Sequence, residues 1–177
     1  MNGKNNNYDF LQKILHDVEE TKRNLNCEVG TLIAPDGRVL KEYSGESHRI
    51  RIPMSEIPLF EGNIFTHNHP GGRTFSQEDV VEFAESRTIE MRVSTPQGTF
   101  FSLKERGGEV NRSIGRVMQA EEVGSQLKAA QILEESGSEL AGLSRKAKVY
   151  DIMGDEIDKW LSENASEFGY IYTKGEI

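Results

Sequence analysis

His67 and His69 stand one residue apart in the stretch THNHPGG (66–72), and Ser76 and Asp79 follow as S-x-x-D just beyond it. Imidazole and carboxylate groups are ligands for a divalent cation such as zinc. In an extended strand, residues i and i+2 face the same way at about 6.6 Å, so both rings can aim at one point while Asn68 turns away. Pro70 has no N–H with which to continue a strand ladder, and Gly71 and Gly72 open backbone angles closed to other residues. The chain can therefore fold back across the rings. Asp79 then falls in the first turn of a helix expected to begin at Ser76, where the positive end of the helix dipole favours a carboxylate. Two histidines and one aspartate leave a tetrahedral zinc ion one open position, the arrangement of a catalytic site rather than a closed structural one. Water held there loses its proton near neutral pH. Hydrolysis would further require a base for that proton and a donor for an oxyanion.

Simpler explanations exist for each part. An isolated HxH is commonly a pair of ordinary turn histidines, and S-x-x-[DE] ahead of an apolar run is a helix capping box. Average residue frequencies make the joint appearance of HxHP, paired glycines and a placed SxxD a chance event of about one in ten thousand or rarer. The two explanations of Ser76 and Asp79 are compatible, because capping the helix would hold both side chains near the histidines.

The elements that must position these groups can be read from periodicity. Leu11, Ile14, Leu15, Val18 and Leu25 keep nearly helical spacing, which predicts an amphipathic helix up to about Asn26, after a frayed Asn-rich start. EVGTLIA (28–34), the turn PDG and RVLKEY (38–43) predict a hairpin, HRIRI (48–52) a third strand, and NIFTH (63–67) a short strand ending at the histidines. PMSEIPLFEG reads as a loop or short helix. SQEDVVEFAES offers an N-cap, acidic residues in the first turn and the apolar Val80, Val81 and Phe83. TIEMRVS and TFFSLK, joined by TPQG, predict a second hairpin. From about Glu109 the composition turns helical, with breaks expected near Gly124, Gly137 and Gly142. The division expected is an N-terminal helix (1–26), a core (27–106) and a mainly helical C-terminal extension (107–177) packed on it.

Composition bounds the setting. The 177 residues suit one domain with extensions, and Lys plus Arg of 21 against Asp plus Glu of 29 gives a net charge of -8, which disfavours nucleic-acid binding. KERGG and SRKAK are short basic clusters that read as solvated surface. Cys27 is the single cysteine, so no intrachain disulfide can form, and a reducing, cytoplasmic location is expected. No segment carries the apolar run of a membrane span. Phe100, Phe101, Tyr170 and Tyr172 read as core and strand positions, Cys27 as a small core residue, and His16 and His48 as surface or framework.

Taken together, HxHP, the SxxD that follows and an upstream glutamate in CEVGTLIAPDGRVL resemble the JAMM (MPN-type) zinc metalloprotease family. The HNHP-G-G and FS-x-x-D form is most similar to JAMM-like domains associated with phage head-morphogenesis proteins and bacterial toxins, and HNHP also to the RadC-type branch. The resemblance runs from about Glu28 through Lys104, with weaker likeness in KWLSENASEFGYIY. The nine residues between His69 and Asp79 make a spacer one residue shorter than the usual family pattern. It implies an α/β fold with a mixed sheet flanked by helices, JAMM/cytidine-deaminase-like, and a zinc-dependent metallopeptidase or isopeptidase. His67, His69 and Asp79 would then be zinc ligands, Glu28 the general base, preferred over Glu42, Glu46, Glu56 and Glu61, and Ser76 the oxyanion donor. The partner implied is a protein or peptide substrate, including ubiquitin-like ones. A catalytically silent JAMM-like scaffold and a RadC-like nucleic-acid-associated protein are the alternatives. Patterning leaves open whether the helical tail covers the cleft, forms a homodimer face or completes the core.

Overall fold

The computed structural model describes residues 3–135 and 143–177. The breaks expected at Gly137 and Gly142 lie outside the described residues. In chain order the elements are α1 (Gly3–Lys22), β1 (Val29–Ile33), β2 (Val39–Ser44), a 3-10 turn (Met54–Phe60), β3 (Ile64–Asn68), α2 (Gln77–Ser86), β4 (Glu90–Ser94), β5 (Thr99–Glu105), α3 (Ile114–Glu135), α4 (Leu143–Asn164), a short 3-10 turn (Ala165–Phe168) and β6 (Tyr170–Glu176). The six strands form one mixed sheet in the order β2-β1-β3-β4-β5-β6. Only the β3–β4 pair is parallel, with α2 as its crossover; the other neighbours are antiparallel. The fold is therefore α/β, a mixed sheet flanked by helices, as expected. No helix among the described residues is long and apolar enough to cross a membrane.

Alternation along the strands gives the sheet two different faces. Leu32, Phe65, Met91, Val93, Phe101 and Leu103 point to one face and pack with Val80, Phe83 and Ala84 of α2, Ile114 and Met118 of α3 and Ile157 and Leu161 of α4. On the other face Leu15 of α1 meets Ile33 and Ile64, with Leu11, Val18 and Ile89 around them. Beside that small cluster Arg92 of β4 is fully enclosed. Its guanidinium makes a two-pronged bond to Glu19 of α1, Nε to Oε1 at 2.6 Å and Nη2 to Oε2 at 2.9 Å. Thr66 of β3 donates to the same carboxylate at 2.9 Å. A buried ion pair costs desolvation, so what it contributes here is a fixed seat for α1.

Three expectations need correction. Residues 48–52 do not form a strand; only an isolated bridge, Glu46 to Arg49, occurs there. Both edges of β1 are occupied by β2 and β3, so the segment cannot pair with β1. Ile50 and Ile52 instead pack against the main core. The first helix ends at Lys22, not near Asn26, because the Lys22 ammonium turns down to Thr31 and to Glu42 (2.5 Å) and Leu25 is left exposed. The extension is helical as expected but ends in β6, whose antiparallel pairing with β5 extends the core sheet. Phe100, Phe101 and Tyr170 are buried on these last two strands, in keeping with their reading as core positions.

Candidate metal centre

The ladder between β1 and β3 pairs Gly30 with His67 and ends there, at the carboxyl end of β3. His69 lies just beyond, its N–H still bonded to the Ser94 carbonyl of β4 at 2.8 Å. A tight turn follows, closed by Gly72 N–H donating to the His69 carbonyl at 2.9 Å, with Gly72 in the left-handed region at φ 72°. Phe75 is then buried as an anchor, and Ser76 caps α2. The capping box is complete. Asp79 N–H donates to Ser76 Oγ at 3.2 Å, while Ser76 N–H and Oγ–H both donate to Asp79 Oδ2, at 2.6 and 2.7 Å.

The cap delivers Asp79 to the histidines. His67 Nε2 lies 3.0 Å from His69 Nε2 and 3.2 Å from Asp79 Oδ1, and His69 Nε2 lies 3.4 Å from Asp79 Oδ2. Carbonyl oxygens of Arg73 (3.2 Å) and Thr74 (3.0 Å) face His69 Nδ1. Carbonyls only accept, so Nδ1 carries the proton and Nε2 presents a lone pair. His67 Nδ1 is buried without a partner among the described residues, and its ring is held instead by stacking on Phe65 at 5.5 Å. The three groups form a cluster that can hold a metal ion. A proton on His67 Nε2, or a metal ion among these atoms, removes the repulsion between the converging lone pairs. A tetrahedral ion with donors at about 2.0–2.1 Å sets them about 3.3 Å apart, near the His67–His69 and His67–Asp79 Oδ1 separations, while His69 faces Oδ2. The donor set of two imidazoles and a carboxylate suits a borderline cation.

Electrostatics agree with that need. Burial alone would raise the Asp79 carboxyl, but His67 and His69 outweigh it and hold it well below the ordinary range. Burial alone would lower His69, yet Asp79, Glu28 and the Arg73 carbonyl raise it above its usual value. Glu28 is half-buried at the start of β1, and its carboxyl is raised, by burial first, with His69 and His67 opposing.

These groups sit in a cleft of about 650 Å³. Of the five upstream glutamates considered, Glu28 lines it. The other four pair elsewhere: Glu42 with Lys22, Glu46 with Arg51, Glu56 with Lys41 and Glu61 with Arg87. All five site residues named from the motif, Glu28, His67, His69, Ser76 and Asp79, thus meet at one cleft. Ser76 is turned toward Asp79, with its hydroxyl committed to the carboxylate.

The structure adds residues that spacing alone did not indicate. Tyr150, Met153 and Ile157 of α4 wall the cleft, so the tail both covers it and completes the core. Thr74 Oγ1 meets Tyr172 Oη at 2.9 Å, and Tyr172 donates to Asp158 at 2.7 Å, tying β6 and α4 to the loop that holds His69. His48, read as surface, is exposed but lines the cleft beside Arg49. Glu82 follows Asp79 by three residues, a same-face helical spacing that was legible in the sequence. Its carboxyl is pushed up to about 7, by the cleft walls first and then by Asp79 and Glu78, although its solvent exposure tempers the shift. His16 lies at 5.3 Å from the Phe100 ring, a framework contact, and Cys27 is a free, half-buried thiol. No family model, curated protein or solved structure matches the chain, so its chemistry is read from this geometry.

Proposed function

We propose that the chain is a zinc-dependent metallohydrolase of the JAMM type that cleaves a peptide or isopeptide bond. The observation that carries the reading is the convergence of His67 Nε2, His69 Nε2 and Asp79 at tetrahedral spacing, in a cleft that Glu28 also lines. Zinc supplies a Lewis acid that brings the pKa of water down to about 7 and polarises a carbonyl. His67, His69 and Asp79 would hold it. Ser76 N–H and Oγ–H fix Asp79 Oδ2, which leaves Oδ1 as the ligating oxygen. Glu28 takes the proton of the attacking water and passes it to the leaving amine, a task suited to a carboxyl whose pKa burial has raised. Ser76 donates its hydroxyl to the developing oxyanion by turning away from Asp79.

Because that hydroxyl is committed to Asp79 in this structure, a second reading has support: a catalytically silent module that binds metal and does not cleave. Ubiquitin-like fusions and a fluorogenic peptide mixture, incubated with and without chelator, separate the two. The hydrolase reading expects cleavage that chelator and Glu28→Gln each abolish while the fold is kept. Tight zinc binding without any cleavage would favour the silent module, and undiminished cleavage by Glu28→Gln would defeat the proposed chemistry.

A further inference from the structure

The geometry points to Asn68 as the residue that positions Glu28; this rests on the hydrolytic reading of Glu28 given above. Asn68 lies between the two histidines on β3, and its side chain faces away from theirs. It is completely buried. The backbone ladder between β1 and β3 stops at the Gly30–His67 pair. One residue further, the Asn68 side chain takes over the ladder's work. Val29 N–H donates to Asn68 Oδ1 at 2.7 Å, and Asn68 Nδ2 donates to the carbonyls of Cys27 at 3.0 Å and Leu25 at 3.4 Å.

One amide thus grips the residue before Glu28 and the residue after it. The main chain of Glu28 is held from the opposite side as well, its N–H donating to the Glu46 carbonyl at 2.9 Å and its carbonyl accepting from Gly45 N–H at 2.8 Å. That turn is tight: a Cβ on Gly45 would lie 2.3 Å from the Arg49 carbonyl oxygen and 2.9 Å from that of Glu28. With its backbone clamped on both sides, Glu28 has its side chain directed to the cleft. The clamp is built on the strand that carries both metal ligands, so base and ligands share one rigid support. Asn combines an acceptor with two donors in one planar head; a carboxylate lacks the donors, and a serine hydroxyl offers only one.

The test compares Asn68→Ala, Glu28→Gln and the double variant with the unaltered chain. Zinc affinity, amide hydrogen exchange of the metal-free protein and zinc-dependent hydrolysis of 4-nitrophenyl acetate are measured on each. Asn68→Ala is expected to speed exchange at the Val29 amide at least tenfold while β4 amides keep their protection, and to leave zinc affinity within about threefold. Turnover should drop about tenfold to a hundredfold in kcat with KM within twofold, since misplacing a catalytic group by about 1 Å costs about a hundredfold. In the Glu28→Gln background the same change should cost less than twofold on the residual zinc-dependent ester hydrolysis, whose 4-nitrophenolate leaving group needs no proton from Glu28, because its effect passes through Glu28. Should Asn68→Ala fail to fold, Asn68→Leu keeps the volume, loses the acceptor and both donors and is read in the same way. Equal losses in both backgrounds, or zinc affinity falling with turnover, would overturn the assignment in favour of general support of β3. Unchanged exchange at Val29 would also overturn it. If the unaltered chain binds zinc but hydrolyses nothing, the hydrolytic reading fails by itself, and the exchange data still decide whether Asn68 clamps the Glu28 backbone.

Discussion

Replacing Asp79 by asparagine separates metal binding from folding, because the two carboxylate oxygens have different tasks. Oδ2 accepts two bonds from Ser76, at 2.6 and 2.7 Å, and Oδ1 faces His67 Nε2 at 3.2 Å. In Asp79→Asn the amide oxygen stays with Ser76, since an NH2 there would oppose two donors. The NH2 then points to His67 Nε2 and donates to its lone pair. The cap survives, so above the folded His69 pKa, where that imidazole is neutral, the metal-free variant should remain within about 1 kcal/mol of the unaltered chain. Zinc at a free concentration of about 100 times its Kd stabilises the unaltered protein by about 2.7 kcal/mol. At about 2–4 °C per kcal/mol for a chain of this size, Tm should rise by about 5–11 °C. With a ligand replaced by a donor, affinity should fall at least about a thousandfold, and the same zinc concentration would then add only about 0.1 kcal/mol, less than 1 °C. Thermal melts in buffered zinc, with Co2+ absorption titrations alongside, read both quantities. Asp79→Ala serves as the control, losing the cap too at a cost of about 1 kcal/mol. A zinc-induced rise in Tm of equal size in Asp79→Asn would refute the ligand assignment.

Proton competition follows from the same centre. His69 has a folded pKa above 6.5, so zinc must displace its proton up to that pKa; affinity should climb about tenfold per pH unit below it and then level off, and calorimetric titrations with a flat profile below pH 6.5 would contradict this. In the metal-free protein the raised His69 contributes stability that is present below 6.5 and lost as pH rises through its folded value. The depressed Asp79 contributes stability that is present above 3.8 and lost as acid protonates it, so urea melts should show this pair contributing most between 3.8 and 6.5. On the opposite face, Glu19→Ala removes the two-pronged partner of the buried Arg92, which keeps Glu90 at 3.3 Å, and should cost about 1–3 kcal/mol in urea unfolding; no measurable cost would show that the pair does not seat α1.

The residues that were legible in the sequence are those whose spacing encodes a local geometry. His67 and His69 follow the two-residue repeat of a strand, and Ser76 and Asp79 follow the capping box, so local rules indicated three side chains that could hold a metal ion. Strand termini were found to within a residue or two where a turn such as PDG or TPQG marks them. What was not legible depends on contacts distant in sequence. HRIRI alternates like a strand, yet it joins no ladder, its Ile50 and Ile52 packing on the core instead, and alternation carries no information about pairing in a sheet. Tyr172 reads as an apolar strand residue, while its hydroxyl reaches Thr74 and Asp158 on two other elements. Arg92 and Glu19 are 73 positions apart, and neither has a pattern that announces burial.

The nine-residue spacer from His69 to Asp79, short for the family the motif resembles, raises the question of how so little chain spans the gap. The structure gives a physical answer. The chain reverses within the His69–Gly72 turn, which needs the left-handed Gly72 and would press a Cβ to 2.7 Å from the Gln97 side chain. The returning Arg73 and Thr74 carbonyls face the His69 ring itself, so the loop passes directly over that side chain without a detour through solvent. Asp79 then needs no extra reach, because as the third residue of α2 its carboxylate is bent back to the cap by the same bonds that aim Oδ1 at His67. Lengthening the loop would gain no ligand. It would loosen the carbonyls that fix the His69 tautomer, and an ion held by that ring would be bound about tenfold to a hundredfold more weakly.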